Sequence, residues 1–218
     1  MTVEQPLRYE ADREARTAIL DRLRTALDDR PKPPPVRRSY RRTRPTGLDV
    51  VGRFAERVAD HGATVLRVND PRDLLPAASE LLRGAGVSRL AVPGGSRPAW
   101  LARLGIELVV DVPPLTRDEI EEIGAVATEC ALAIAETGTI VLDTGPGQGR
   151  RVLTLLPDHH LCVVRADRIV ASVPEAIARL DPRRPQTWIS GPSATRAIEP
   201  ERVAGVHGPR TLHVLIIG

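Results

Sequence analysis

The sequence predicts an α/β domain whose parallel or mixed sheet is flanked by helices. From Gly47 onward, short apolar segments with strand character alternate with segments of helical periodicity. The strand segments are nearly continuous in apolar residues, which is typical of strands covered on both faces. A chain of 218 residues, of which 42% are hydrophobic, is long enough to bury the core of one medium-sized domain.

Residues 1–46 are predicted to form an extension to the compact domain, which covers residues 47–218. Residues 9–29 have the pattern of an amphipathic helix with a narrow apolar stripe. The stripe recurs every four positions, at Ala15, Ile19, Leu23 and Leu27. Residues 30–46 are rich in proline and arginine, and three consecutive prolines at 33–35 favour an extended conformation. Because the apolar stripe needs a covering surface, we expect the helix to bind a partner subunit or a second copy of this chain.

Helices and strands alternate through most of the compact domain. Helices are predicted over 48–60, from Asp70 to about Arg83, and over 97–104, 116–123 and 173–180. Strands are predicted over 63–68, 87–92, 107–112, 131–136, 138–143, 161–166, 187–190 and 211–217. Asp70 is a suitable N-cap before Pro71, and Thr116 and Glu119 have the spacing of a capping box. Only a turn separates the strands over 131–136 and 138–143, so we expect a hairpin there.

The positive charge of the chain is concentrated in the extension. Seven basic residues and no acidic residue lie between Arg30 and Arg44, whereas the formal net charge of the whole chain is +3. The remainder is therefore net negative, which argues against a nucleic-acid-binding protein. The basic segment carries a single aromatic residue, Tyr40, so it lacks the stacking aromatics of single-strand binders. A solvated tether is the favoured interpretation.

Membrane and cluster-binding classes are disfavoured by what the sequence lacks. No apolar run approaches the roughly 18–20 residues that cross a bilayer, and the N-terminus has no apolar signal segment. We therefore expect a soluble cytoplasmic protein without a membrane span. Two cysteines, Cys130 and Cys162, cannot supply the roughly four thiolates of an ordinary iron–sulfur cluster. They are predicted to be buried, unreactive thiols, and the chain is predicted to bind no cofactor.

The segment GPGQGRR at 145–151 is the most prominent glycine-rich motif. It lacks the lysine and hydroxyl residue of a Walker loop, and its G-x-G-x-G spacing does not match the dinucleotide fingerprint. The glycines are Gly145, Gly147 and Gly149, and the arginines that follow are Arg150 and Arg151. A flexible backbone beside two guanidiniums suits a carboxylate or phosphate, but the segment taken alone is more simply explained as a plain connecting loop.

Three further segments contain candidate functional side chains. Glu136 ends an apolar strand and is expected at the carboxyl edge of the sheet, as a nucleophile, a base or a structural acceptor. In SGPSAT, Ser193 and Thr195 are expected to open a helix whose N-terminus either binds an anion or is simply capped. In GVHGPR, His207 is either catalytic or structural, and Arg210 precedes the last strand.

A pair of histidines and a cysteine lie close together at His159, His160 and Cys162. Adjacent residues of a strand point to opposite faces, so only one of the two histidines can share a face with Cys162. No further ligand lies at a helpful spacing. We therefore predict no metal site.

These motifs occur in an order that resembles one known family. The segment AETGTIVLDTGPGQGRR, followed by ISGPSAT and GVHGPRTLHVLII, closely resembles the lactate utilization protein C family, whose members are made of a LUD domain. The resemblance covers roughly residues 47–218 and is strongest over 136–215. It implies a fold similar to the group of ribose-phosphate isomerases, glucosamine-phosphate deaminases and CoA-transferases.

The resemblance also implies a pathway. Members of this family are encoded with two iron–sulfur proteins and support the oxidation of L-lactate to pyruvate. This chain would then be an accessory or metabolite-binding subunit for a small anionic metabolite, with the clusters held by its partner subunits. The alternative is a stand-alone isomerase-like or transferase-like enzyme that acts on a phosphorylated or CoA-linked metabolite, with Glu136 as nucleophile or base.

Carried over by motif, the resemblance implies a set of site residues. The family's ETGT corresponds to Glu136, Thr137, Gly138 and Thr139, and its glycine loop to Gly145, Gly147 and Gly149. Its Gly-Pro-Ser turn corresponds to Gly191, Pro192 and Ser193, and its His-Gly-Pro to His207, Gly208 and Pro209. One departure is Ala197, where relatives usually carry an aspartate. We expect these turns to meet at one edge of the sheet and to hold a small anion, with Arg150 and Arg151 as electrostatic partners.

Overall fold

A computed structural model describes residues 6–28, 34–35, 47, 49–95, 100–196, 202–204 and 208–218. The chain divides into two compact units, Met1–Tyr40 and Arg41–Gly218. The first contains helix α1, Pro6–Ala26, which confirms the predicted N-terminal helix and begins three residues before the predicted start. Its apolar stripe is open to solvent, with exposed fractions of 58%, 52% and 62% at Ile19, Leu23 and Leu27. No helix in the described ranges is long and apolar enough to cross a membrane.

The second unit is built on a sheet of six strands that all run parallel. In chain order these are β1 (Thr64–Val68), β2 (Arg89–Val92), β3 (Glu107–Val110), β4 (Ala125–Glu129), β7 (His159–Arg165) and β12 (Thr211–Ile217). Their spatial order is β1-β12-β7-β4-β2-β3. The central strand β7 is in register with both neighbours, and Cys162 pairs with Val214 of β12 and Thr128 of β4. The α/β class predicted from the sequence is confirmed.

A smaller sheet packs on one face of the parallel sheet. Its strands are β5 (Leu132–Ile134), β6 (Thr139–Leu142), β8 (Ile169–Val170) and β9 (Thr187–Ile189), in the order β8-β5-β6-β9. β5 and β6 are antiparallel, which confirms the predicted hairpin. Together with helix α2 (Val50–Asp60), this sheet covers a core that includes Phe54, Ile140 and Cys162.

The opposite face of the parallel sheet is covered by helix α3, Leu74–Gly84. Leu82 of α3 packs with Leu90, Leu161 and Leu215 of the sheet. Helices α4 (Arg117–Ile123) and α5 (Val173–Arg179) complete the domain, and α4 lies over Ala91 and Val126 through Ile120. Burial on both faces explains why the strands are nearly continuous in apolar residues.

The helix starts follow the predicted caps. The Asp70 side chain accepts a hydrogen bond from the Arg72 amide and caps a 3₁₀ turn, Pro71–Asp73, that leads into α3. Thr116 and Glu119 form the predicted capping box at the start of α4. Each cap satisfies amides that have no partner within the helix.

Two expectations about secondary structure are corrected, and strand β4 is an addition to them. Of the helix predicted over 97–104, the described part forms only a 3₁₀ turn, Leu101–Arg103. Strand β4 was not expected, because AVATE is short and interrupted by a polar threonine. Ser193 does not open a helix: Ala194–Arg196 is strand β10, paired antiparallel with β11 (Arg202–Ala204). The Ser193 amide donates to the Pro209 carbonyl at 2.7 Å, so a neighbouring segment takes the hydrogen bond that a helix would leave open.

The parallel arrangement gives the sheet two distinct edges. All six strands begin at the amino edge, which lies beside the C-terminal end of α2, and all end at the carboxyl edge. In open α/β sheets, ligands bind beyond the carboxyl ends of the strands. The carboxyl edge is therefore the first place to look for a site.

Candidate functional site

A cleft of about 300 Å³ lies at the carboxyl edge, beyond the ends of β4 and β7, and we call it the arginine cleft. Its polar and charged lining residues are Glu129, Asp143, Gln148, Arg165, Arg168, Arg179 and Arg184. Its other lining residues are Cys130, Ala131, Leu132, Pro146, Val163 and Leu180. A volume of 300 Å³ is at the lower end of the range for small-molecule pockets.

The four arginines come from the end of β7 and the chain that follows it. Arg165 is the last residue of β7, Arg168 ends the 3₁₀ turn after it, and Arg179 ends α5. Arg165 pairs with Asp167 at 2.9 Å, and Arg184 with Asp143 at 2.7 Å. Within the described part of the chain, Arg168 and Arg179 form no ion pair. The cleft therefore contains two guanidiniums with free bonding capacity.

The glycine loop between β6 and the 3₁₀ turn at Arg151 forms one wall of the cleft. The Asp143 amide donates to Gln148 Oε1 at 2.6 Å, and the Gly145 amide donates to Asp143 Oδ1 at 3.0 Å. Thr144 has a φ of 60°, which is costly for a β-branched residue. The Gln148 amide also donates to the Gly145 carbonyl at 3.1 Å, so three of the loop's amides are bonded inside the loop. The cleft is lined instead by the loop's Pro146 and Gln148.

Arg150 holds the loop to the end of β3. Its Nε lies 2.8 Å from Asp111 Oδ2 and its Nη2 lies 2.8 Å from Asp111 Oδ1, and Nη2 also donates to the Leu115 carbonyl. Burial alone would raise the pKa of Asp111, but the hydrogen bonds from Arg150 and the Leu115 amide outweigh it, so the pKa is lowered. Arg150 is engaged by this carboxylate, and neither it nor Arg151 lines the arginine cleft.

The ETGT turn lies at the amino edge, not at the carboxyl edge as expected for Glu136. The turn connects β5 to β6 and rests against the end of α2, where His61 Nε2 donates to the Thr137 carbonyl at 3.0 Å. Thr137 Oγ1 is 2.7 Å from Thr139 Oγ1, which is 2.8 Å from Ser190 Oγ. Glu136 itself is exposed.

The Gly-Pro-Ser and Gly-Pro turns reach the same amino edge. A Cβ added to Gly191 would lie 2.7 Å from His61 Cβ, and Gly208 lies beside Ser193. Arg210 pairs with Asp158 at 3.4 Å in an exposed contact. His207, Ala197 and the side chain of Thr195 lie outside the described residues.

The structure therefore joins three of the four predicted motifs and separates the fourth. The ETGT turn meets the segments at 190–193 and 208–209, whereas Gly145, Gly147 and Gly149 lie at the opposite edge. The expectation that all the turns share one rim is wrong. The physical reason is β6, a strand of four residues that spans roughly 13 Å between the ETGT turn and the glycine loop.

Replacing Gly138 by alanine tests how tightly the ETGT turn rests on α2. Gly138 has a φ of +60°, and an added Cβ would lie 2.7 Å from the Arg57 carbonyl carbon. We expect Gly138→Ala to lower the free energy of unfolding by about 3 kcal/mol, from left-handed backbone strain plus overpacking. The control is Gly86→Ala, because Gly86 has a φ of +70° and no neighbouring atom within 4 Å. It should cost only about 1 kcal/mol. If urea unfolding shows the same loss of free energy of unfolding for both variants, the close contact between Gly138 and Arg57 is contradicted.

The arginines of the cleft were missed by reasoning from sequence motifs. For Arg165 and Arg168 the usable signal was position. They stand at the end of the apolar strand LCVVR and just after it, which is the carboxyl end of a parallel strand. Arg179 and Arg184 carry no comparable signal, since only α5 and the turn after it bring them to the cleft.

The histidines and cysteines are placed as strand alternation predicts. His160 is buried on the same face as Cys162, with its Nε2 2.8 Å from Thr128 Oγ1. Cys130 lies beside Cys162, and this neighbouring thiol together with burial raises the pKa of the Cys130 thiol. Among the residues that the structure describes, no three His, Cys, Asp or Glu side chains are grouped to hold a metal ion.

An all-parallel sheet with a charged cleft at its carboxyl edge has the layout of α/β proteins that hold ligands there. Comparison with known proteins identifies the family. The sequence model of the LUD domain matches residues 51–217, and the chain belongs to the LUD domain family. This confirms the resemblance seen in the motifs.

Relatives and a solved structure agree with this assignment. "Lactate utilization protein C" of Deinococcus radiodurans is 42% identical over 197 residues, which cover 88% of this chain and 87% of that protein. "Lactate utilization protein C" of Shouchella clausii is 34% identical over 98 residues, 42% of each chain. The crystal structure of a DUF162 family protein from Deinococcus radiodurans is similar with a TM-score of 0.65 and 38% identity, covering 78% of this chain and 97% of that one. The grouping with ribose-phosphate isomerases stays a prediction.

Proposed function

We propose that this chain serves lactate utilisation in the cytoplasm as a subunit that binds a small anionic metabolite. Separate iron–sulfur proteins would accept the electrons when L-lactate is oxidised to pyruvate. Membership of the LUD domain family and the names of its relatives support the pathway. The observation that carries the metabolite-binding role is the arginine cleft, with two unpaired guanidiniums at the carboxyl edge of a parallel sheet.

Two further features support a subunit without a redox centre of its own. The whole chain has two cysteines, Cys130 and Cys162, and both are free thiols. The stripe of α1 exposes three large apolar side chains that a partner would cover. Burying such side chains at an interface is favourable by about 1.5–3 kcal/mol each.

The proposal predicts association with the two iron–sulfur proteins encoded in the same genome. The full-length chain, carrying an affinity tag, should retain both proteins in a pull-down under anaerobic conditions. Replacing Ile19 and Leu23 by glutamine should weaken the association at least tenfold, because the apolar contact is lost while the helix is kept. Retention is measured by quantitative gel analysis over a range of salt concentrations.

The matched control is Glu14→Gln, an exposed position of α1 on the face opposite the stripe. This variant should associate like the unmodified chain. If the unmodified chain retains neither protein, the proposed partnership is wrong. If the double variant associates normally, α1 is not the docking surface.

The stand-alone enzyme is the weaker alternative. It requires Glu136 to act as nucleophile or base on a bound metabolite. Glu136 lies on an exposed turn at the amino edge, whereas the unpaired guanidiniums lie at the carboxyl edge. The metabolite-binding subunit is therefore the better-supported function.

A further inference from the structure

The arginine cleft has features that select among small anions. This inference rests on the proposed function, because it names the class of metabolite that the same cleft would bind. The features are the number of free guanidiniums, the location of one carboxylate, and the size of the space.

The first feature is that two guanidiniums are free rather than one. A guanidinium presents two parallel N–H groups, which match both oxygens of a single carboxylate. One free arginine would therefore satisfy a monocarboxylate such as lactate. Arg168 and Arg179 together offer two such pairs of N–H groups. The three terminal oxygens of a phosphate monoester can accept hydrogen bonds from both guanidiniums.

The second feature is a carboxylate in the same lining. Glu129 ends β4, and its amide donates to the Gly147 carbonyl at 2.8 Å, which holds it beside the glycine loop. Glu129 forms no close ion pair within the described ranges, and its charge contributes from a longer distance to the raised pKa of Arg165. A ligand with two separate carboxylates would bring one of them towards this negative charge, and like charges across an interface are unfavourable. A ligand with one compact anionic group avoids that contact.

The third feature is the neighbouring apolar recess. A small space of about 30 Å³ is lined by Pro93, Trp100, Leu101 and Ala127, and it shares Glu129 and Val163 with the arginine cleft. The arginines thus lie on one side of the Glu129 carboxylate, and the small apolar recess lies on the other. That combination suits a short organic molecule with a charged group at one end.

We infer that the arginine cleft binds a small phosphate monoester, with Arg168 and Arg179 holding the phosphate and Glu129 excluding dicarboxylates. The chain would then couple lactate utilisation to the level of a phosphorylated metabolite. No covalent step is involved.

Calorimetric titration of the full-length chain tests the inference with four probes: glycerol 3-phosphate, inorganic phosphate, L-lactate and succinate. At pH 7.5, glycerol 3-phosphate should bind at least tenfold more tightly than L-lactate or succinate. Its affinity should fall at pH 5.5, because a phosphate monoester loses its second charge below a pKa of about 6. Inorganic phosphate should bind at the same site and compete with glycerol 3-phosphate.

Variants identify the residues that produce the selectivity. Arg168→Gln and Arg179→Gln should each weaken binding of glycerol 3-phosphate about tenfold or more, as expected for a lost charge-assisted bidentate contact. Both side chains are exposed, so the thermal midpoint should not change. Glu129→Gln should reduce the ratio of the affinity for glycerol 3-phosphate to the affinity for succinate. Arg83→Gln, at the exposed end of α3 on the other face of the sheet, is the control and should bind normally.

The outcomes separate this inference from the proposed function. If L-lactate binds as tightly as glycerol 3-phosphate and needs Arg168, the phosphate inference is overturned and the anion-binding role stands. If no probe binds, both the inference and the metabolite-binding role fail, while the pull-down still tests the partnership. Binding that is insensitive to Arg168 and Arg179 would also overturn the inference.

Discussion

Replacing Arg150 by alanine is expected to lower the free energy of unfolding by about 3 kcal/mol. The Asp111 side chain is only 7% exposed and receives both arms of the Arg150 guanidinium at 2.8 Å. Without Arg150, a nearly buried carboxylate keeps a single protein donor, the Leu115 amide. Leaving a buried charge without its partner costs 3–5 kcal/mol, and we take the lower end because Arg150 is 40% exposed. Urea unfolding with several spectroscopic probes measures the loss.

Two variants make the result specific to this pair. Arg89→Ala removes weaker ion pairs with Glu107 and Glu122, both at 3.5 Å with exposed carboxylates, and should cost less than about 1 kcal/mol. The double variant Arg150→Met/Asp111→Leu removes both charges and should recover much of the loss. If Arg150→Ala is no more destabilising than Arg89→Ala, Asp111 does not depend on Arg150.

Acidification from pH 6.5 to pH 4 is expected to cost about 3 kcal/mol of stability through His160 alone. Its ring is fully buried, and burial lowers its pKa from 6.5 to about 4. Nε2 bonds to Thr128 Oγ1, whereas Nδ1 is buried without a hydrogen-bond partner. A protonated ring would therefore place a second N–H and a charge in an apolar core. Below pH 6.5 the unfolded chain takes up the proton and the native state does not, so stability falls until about pH 4.

The comparison variant is Thr128→Val/His160→Leu, which removes the titrating ring and its partner together. Its free energy of unfolding should change about 3 kcal/mol less than that of the unmodified chain between pH 6.5 and pH 4. His213, whose pKa is lowered by burial and by neighbouring His159, is present in both proteins and cancels in the comparison. If the free energy of unfolding of the two proteins depends on pH in the same way, His160 is not the group that causes the loss of stability.

Much of the local structure could be predicted because it depends on neighbouring residues. The capping box of Thr116 and Glu119 and the N-cap Asp70 act within three residues of the helix starts that they determine. Apolar segments of four to eight residues identified most of the strands. The incorrect predictions lie where a contact with a residue distant in sequence overrides the local pattern. Ser193 is an example, because its amide donates to the Pro209 carbonyl.

The candidate site was only partly predictable. The glycine loop was recognised as a candidate, but the sequence did not show that three of its amides bond within the loop and that Arg150 bonds to Asp111. The arginines that line the cleft come from the end of β7, the end of α5 and the turn after it. These segments are separate in the chain, and only the packing of the small sheet on the large one brings them together.

The sequence by itself determined the α/β class, the N-terminal helix, most of the strands and the membership of the LUD domain family, because these depend on local patterns and ordered motifs. Only the tertiary structure decided which motifs share an edge. A strand carries the chain from one edge of a sheet to the other, so motifs joined by β6 are neighbours in sequence and lie apart in space. For the same reason, Arg168 and Arg179, eleven positions apart, line one cleft only once β8 and α5 have packed in place.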